Sequence, residues 1–158
     1  MIRKPAIEDG SLLIAHAQKY AATAYPELIP DVEKVHWLVR KATQETESSY
    51  SRVIGPLGTP QAAILTLTQN NLWAMKKHAT ILLWYSEIPG AGATLLRGFR
   101  DWVKSEKHIV LAGFHADWLS FDERPLLLAE RIGFSRRGAG GFFYFPRGSL
   151  AHKVRVGV

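Results

Sequence analysis

Residues 79–96 read ATILLWYSEIPGAGATLL. The first seven, Ala79 to Tyr85, form the most continuous apolar run of the chain, as expected of a strand covered on both faces at the centre of a sheet. Pro89-Gly90-Ala91-Gly92 then punctuates the run as a turn. From about Ala93 to Glu106 the apolar residues recur at helical spacing, with Leu95, Leu96, Phe99, Trp102 and Val103 on one face. A central strand, a glycine turn and an amphipathic helix are therefore joined directly.

Upstream, Tyr50 to Ile54 and Ala62 to Thr68 read as two strands, and Gly55-Pro56-Leu57-Gly58-Thr59-Pro60 between them predicts an antiparallel hairpin. Ile2 to Ile7 reads as a first strand. Two helices follow, Ser11 to about Tyr25 with Asp9 as N-cap, and a second begun by Asp31, with Val32, Val35, Leu38, Val39 and Ala42 on one face. Downstream, Ile109 to Phe114 reads as a buried strand and residues 124–132 as a short helix. Phe134 to Arg137 and Gly141 to Phe145 read as a closing hairpin across Gly138-Ala139-Gly140. No repeat, low-complexity segment or linker interrupts this order. Residues 1–146 are expected to form one domain, and residues 147–158 a C-terminal tail.

The chain has 158 residues, of which 47% are hydrophobic and 22% charged, so it carries enough apolar surface for a core. It has no cysteine, which excludes disulfides, thiolate metal sites and a cysteine nucleophile. The histidines show no metal-ligand spacing on a shared helix face, so no metal is expected. MIRKPAIEDG at the N-terminus lacks the apolar stretch of a signal peptide, and the aliphatic runs are too short to span a membrane. A cytoplasmic protein is expected. The net charge of +6 is concentrated at one end. Seven of the 20 basic residues lie in 124–158, against one of the 14 acidic residues, Glu130. That patch suits an anionic partner, or is a solvated basic face.

The glycine turn has its own chemistry. Glycine lets a backbone approach a phosphate closely, and the start of a helix presents free N–H groups where the dipole favours an anion. Gly90, Ala91, Gly92, Ala93 and Thr94 would present those amides, with the Thr94 hydroxyl beside them. Without a ligand, the same residues would simply start a helix.

The element order resembles the GNAT superfamily of acyl-CoA-dependent N-acyltransferases over roughly residues 1–146. Two local patterns carry the resemblance. Glu87-Ile88-Pro89-Gly90-Ala91-Gly92 looks like the family's Gln/Arg-x-x-Gly-x-Gly/Ala pyrophosphate loop. Leu126 to Phe134, LLLAERIGF, resembles the final helix that ends in Gly-Phe before the closing hairpin. LLWYSEIPGAGATLL is also similar to acyltransferase-like proteins of tailed phages, which would place the protein in a host cytoplasm.

The resemblance implies an α/β (α+β) fold. Its central sheet would be mixed but mostly antiparallel, with about six to seven strands and about four flanking helices. Strands four and five would splay apart, and the thioester arm of acetyl-CoA would lie in the gap. Leu83, Trp84 and Tyr85 would contact pantetheine or the acyl group, except that whichever aromatic points away from the cleft packs in the core. Arg124, Arg131, Arg136 and Arg137 are candidates for the 3′-phosphate, since arginine offers a planar fork of donors; Arg124 is taken first.

Two positions depart from the family pattern. The loop begins with Glu87, whose carboxylate repels a pyrophosphate unless it points away, either as a solvated turn residue or toward the acceptor side, where it would serve as a base. Ala129 stands four residues before Gly133, where many members carry a tyrosine acid, and Asp122 replaces the usual Asn. Replacement acid–base groups at the end of strand five are His115, with the right intrinsic pKa, and Asp117. The reading is an N-acyltransferase transferring an acetyl or other acyl group by direct attack of an amine on a small molecule or protein. The alternative is a catalytically weak binding or structural protein on the same fold, such as a phage virion component or host-directed effector. Nucleic-acid binding by the basic end and Phe142, Phe143 and Tyr144 ranks last, because alternating aromatics in a closing strand usually pack a core. A homodimer through sheet edges or C-terminal strands stays open.

Overall fold

A computed structural model describes residues 1–24, 29, 31–44, 49–70, 75–115, 124–137 and 142–144. The elements run β1 (Ile2–Arg3), a 3-10 turn (Ile7–Asp9), α1 (Gly10–Ala24), α2 (Val32–Gln44), β2 (Arg52–Ile54), β3 (Ala62–Asn70), β4 (Lys77–Ser86), α3 (Ala91–Ser105), β5 (Ile109–His115), α4 (Arg124–Ile132), β6 (Ser135–Arg137) and β7 (Phe142–Tyr144). The strands among the described residues form one sheet of seven in the order β1-β2-β3-β4-β5-β7-β6. Every neighbouring pair is antiparallel except β4 and β5, which are parallel and joined through α3. The sheet is thus mixed and mostly antiparallel, as expected.

The apolar run in β4 is explained by helices on both sides of the sheet. One core joins Leu95, Leu96, Phe99 and Val103 of α3 and Leu126, Ala129 and Ile132 of α4 to Ile64, Ala79 and Ile81. The other joins Leu13 of α1 and Val39 and Ala42 of α2 to Leu65, Leu67 and Leu83. Val32, expected on the inner face of α2, is the first residue of the helix and is exposed. Asp31 caps α2 as predicted, accepting a hydrogen bond from the Lys34 amide at 3.0 Å.

The register of β3 and β4 has one irregularity. Leu65 pairs with Leu83 but Thr66 pairs with Ile81, so Leu82 is an extra residue, a bulge. Before it, Ala79 and Ile81 face α3 and α4; after it, Leu83 and Tyr85 face α1 and α2. One inserted residue inverts the alternation, because side chains switch face at every step along a strand.

Asp9 plays a different part from the helix cap expected. Its buried carboxylate turns back to accept the Ala6 amide at 2.8 Å, the Gly58 amide at 2.9 Å and two guanidinium bonds from Arg3. A buried charge needs paired donors, and those converge here from both the N-terminal segment and the β2–β3 turn. The expected first strand over residues 2–7 accordingly shortens to Ile2–Arg3. No helix among the described residues is long and apolar enough to cross a membrane.

Candidate functional site

The pairing of β4 with β5 runs from Lys77↔Ile109 to Thr80↔Gly113 and ends there. β5 continues through Phe114 and His115, but those residues pair with Phe143 and Phe142 of β7. β4 continues through six more residues, Ile81 to Ser86, bonded to β3 on its other edge. The two parallel strands therefore splay, and among the described residues this half of β4 offers one edge of backbone amides and carbonyls with no strand beside it. The bulge at Leu82 lies at the start of the gap, where an extra residue bends the strand away from its former neighbour. Such an edge is complementary to an extended chain of amides.

Just beyond the gap the chain turns through Glu87 to Gly90 and enters α3. Gly90, with φ near +80°, occupies the N-cap. Of the five amides expected to face an anion, two are already committed. Ala91 donates to the Ile88 carbonyl at 3.2 Å, and Thr94 donates to the Gly90 carbonyl at 3.1 Å. The Thr94 hydroxyl donates to the same carbonyl at 3.0 Å. The amides of Gly90, Gly92 and Ala93 have no partner among the described residues, and they stand at the positive end of the helix.

Trp84 explains how that helix start is held. Its side chain lies on the α3 side of the sheet, and its indole N–H donates to the Gly92 carbonyl at 3.0 Å. A Cβ on Gly92 would sit 3.3 Å from the indole nitrogen and 3.3 Å from the Ser86 Cβ. Gly92 is thus the point at which α3 rests against β4, and Trp84 acts by positioning it.

Leu83 and Tyr85 face the α1 side. Leu83 is buried, while the Tyr85 hydroxyl donates to the Pro60 carbonyl at 3.0 Å. His16 of α1 stacks on the Tyr85 ring at 3.9 Å between centroids and 18° between planes. Its Nε2 lies 3.7 Å from Oε1 of Glu87, whose side chain is 61% exposed. The Tyr85 phenol is pushed up to about 12, first by burial and then by the charges of Glu87 and Asp9. His16, Tyr85 and Glu87 make a polar cluster beside the gap. Tyr85 and Glu87 were singled out from the sequence for other reasons. His16 was not, because nothing local distinguishes it in α1; only the packing of α1 on β4 brings it there.

The remaining candidates are spread over other elements or lie outside the described residues. His115 ends β5, opposite Phe142, on the strand that diverges from β4. Asp117 lies outside the described residues, as does Asp122. Arg124 is the exposed first residue of α4, and Arg136 and Arg137 lie in β6. Trp37 is exposed on α2 beneath Lys41, whose Nζ is 5.0 Å from the ring centroid. Ala129 is fully buried in the core between α3 and α4. The Gly-Phe signature beside it is a helix stop. The Gly133 amide bonds back to Glu130 and the Phe134 amide to Ala129, each at 3.0 Å. Gly133 has φ near +107°, and Phe134 is buried against Phe99. This is the paired-bond C-cap that favours glycine, with its usual apolar contact.

No protein-family model matches the chain, and no curated protein matches it. Solved structures do match in fold. Arabidopsis thaliana NAA60 in complex with acetyl-CoA is similar with a TM-score of 0.64 at 10% identity, over 93% of this chain and 99% of that one. A possible acetyltransferase from Clostridium difficile 630 gives a TM-score of 0.63 at 12% identity, over 83% and 88%. The PaiA N-acetyltransferase of Thermoplasma acidophilum in complex with coenzyme A gives 0.56 at 17% identity, over 93% and 98%.

Proposed function

We propose that this chain, which has the GNAT fold, binds an acyl-coenzyme A thioester between β4 and β5 and transfers the acyl group, acetyl in the simplest case, to an amine. The observation that carries this reading is the end of β4–β5 pairing at Thr80↔Gly113 while β4 runs on to Ser86. The pantetheine arm is itself an extended chain with two amides, and the backbone of Leu83, Trp84 and Tyr85 would hydrogen-bond to it as a missing strand would. The coenzyme-bound state of two of the similar structures supports the choice of ligand.

In this reading the pyrophosphate meets the amides of Gly90, Gly92 and Ala93, with Ala91 and Thr94 shaping the turn beneath it. Arg124 serves the 3′-phosphate, with Arg131, Arg136 and Arg137 as alternatives. The acceptor nitrogen attacks the thioester carbon; the C–N bond forms, the C–S bond breaks, and the thiolate leaves and takes up a proton. Glu87, beside His16, receives the proton lost by the amine; His115 and Asp117 are the candidates from the β5 side. Ala129 offers no proton to the leaving sulfur, so the chemistry rests on positioning and on the good leaving ability of a thiolate. The acceptor is an amine of a small molecule or protein, and the reaction is cytoplasmic.

The test is calorimetric titration of coenzyme A and acetyl-CoA into the wild type and Ala93→Asp. An aspartate in the first turn is favourable to the helix dipole, so the variant keeps its stability. The same charge repels a pyrophosphate, and affinity should fall at least about tenfold. Undiminished binding by the variant, or none by the folded wild type, overturns the reading.

A further inference from the structure

Between the α1–α2 pair and the sheet lies a cavity of about 330 Å³ that is partly open to solvent. Its wall includes Ala17 and Ala21 of α1, Leu38 of α2, and Leu82 and Leu83 of β4, and among the described lining residues Tyr20 alone has a side chain with a polar atom. Interiors normally pack to crystal density with few voids larger than a water. Here the alanines, one helical turn apart, stand where larger side chains would fill the space. An apolar cavity of about 150 Å³ is already enough to bind benzene.

Its position matters more than its size. Leu82 is the bulge residue, and Leu83 is the first residue past it on the edge that β5 has left. A thioester arm bonded along Leu83 to Tyr85 would bring its acyl carbon to the mouth of this cavity. We infer that the cavity receives the hydrocarbon chain of an acyl-CoA longer than acetyl, in the range of about four to eight carbons. This rests on the proposed coenzyme site. The lining favours an acyl chain over the amine acceptor. Among the described residues no carboxylate lines the wall, and an ammonium group buried there would lose its hydration without a counter-charge. A hydrocarbon chain gains from the same transfer. At about 30 Å³ per water-sized group, the volume has room for about eleven such groups, enough for every carbon of such a chain. The polar cluster of His16 and Glu87 begins one residue before Ala17, outside the lining. Amine and chain would therefore have separate compartments on either side of the reacting carbon.

The experiment is a calorimetric series of coenzyme A and its acetyl, butyryl, hexanoyl and octanoyl thioesters against the wild type and Ala21→Phe, with thermal unfolding run on both proteins. Wild-type affinity should rise about fourfold for each methylene added between acetyl and hexanoyl. Ala21→Phe, which fills the cavity, should flatten that rise and leave coenzyme A affinity unchanged. A flat series in the wild type overturns the inference while leaving the coenzyme site intact. So does a chain-length gain that survives in a folded Ala21→Phe, because the chain then lies elsewhere. Failure of coenzyme A itself to bind removes the proposed function, and this inference with it. If Ala21→Phe does not fold, Ala17→Leu, at another residue of the same wall, gives the same readout.

Discussion

Replacing Asp9 with alanine should destabilise the protein by about 3–5 kcal/mol, the range for removing one partner of a buried ion pair. The carboxylate is buried and accepts the Ala6 amide at 2.8 Å and the Gly58 amide at 2.9 Å. Each orphaned amide costs about 1–3 kcal/mol. Arg3 would lose two bonds but keeps those to the carbonyls of Lys4, Gly55 and Pro56, and its side chain is 24% exposed, so its share is the smaller one. Urea unfolding at pH 7 measures the loss, and for a chain of this length it corresponds to roughly 6–20 °C in Tm. The pH dependence gives a second readout. The Arg3 hydrogen bond, with help from the two amides and against burial, holds the Asp9 carboxyl below the usual carboxylate range. Its stabilisation is therefore fully present above the unfolded-state value of about 4 and is lost as pH falls through the lower folded value. The gap between wild type and variant should narrow in acid. A variant within about 1 kcal/mol of wild type at pH 7, or a gap that widens in acid, refutes the reasoning.

Glu87→Gln should leave stability within about 0.5 kcal/mol, since the side chain is largely exposed, and should lower kcat at least about tenfold with coenzyme affinity kept; steady-state kinetics that show an unchanged kcat remove Glu87 as the base. Tyr85→Phe loses the hydrogen bond to Pro60 and should cost about 1 kcal/mol in urea. In the difference between wild-type and variant ultraviolet titrations, the missing phenol should ionise near pH 12 while the fold holds. Because that pKa is raised, its contribution is present below about 10 and lost as pH rises through the folded value, and ionisation at the ordinary value would contradict the burial. Gly133→Ala, at φ near +107°, should cost about 1 kcal/mol or more by strain at the α4 stop, and an unchanged Tm would show that the cap is dispensable.

The strand, turn and helix over residues 77–105 were legible because their causes are local. An apolar run, a Pro-Gly turn and a helical stripe each act over a few residues, and α4 with its Gly133 stop was legible for the same reason. The alternation rule alone would have put Leu83 and Tyr85 on the face of Ile81. The bulge at Leu82 reverses them, and a bulge belongs to the pairing of β4 with β3 rather than to β4. Whether Trp84 or Tyr85 met the cleft side was likewise decided by that register. His16 reaches Tyr85 and Glu87 from a helix some seventy residues away in sequence, and Asp9 gathers donors from the start of the chain and from Gly58. Composition and periodicity thus determine which segments become helix or strand, since those preferences come from each residue's own backbone and its nearest neighbours. The splay of β4 and β5, the face each β4 side chain takes and the membership of the polar cluster depend on which distant segment lies alongside, and only the folded sheet and its helices settle that.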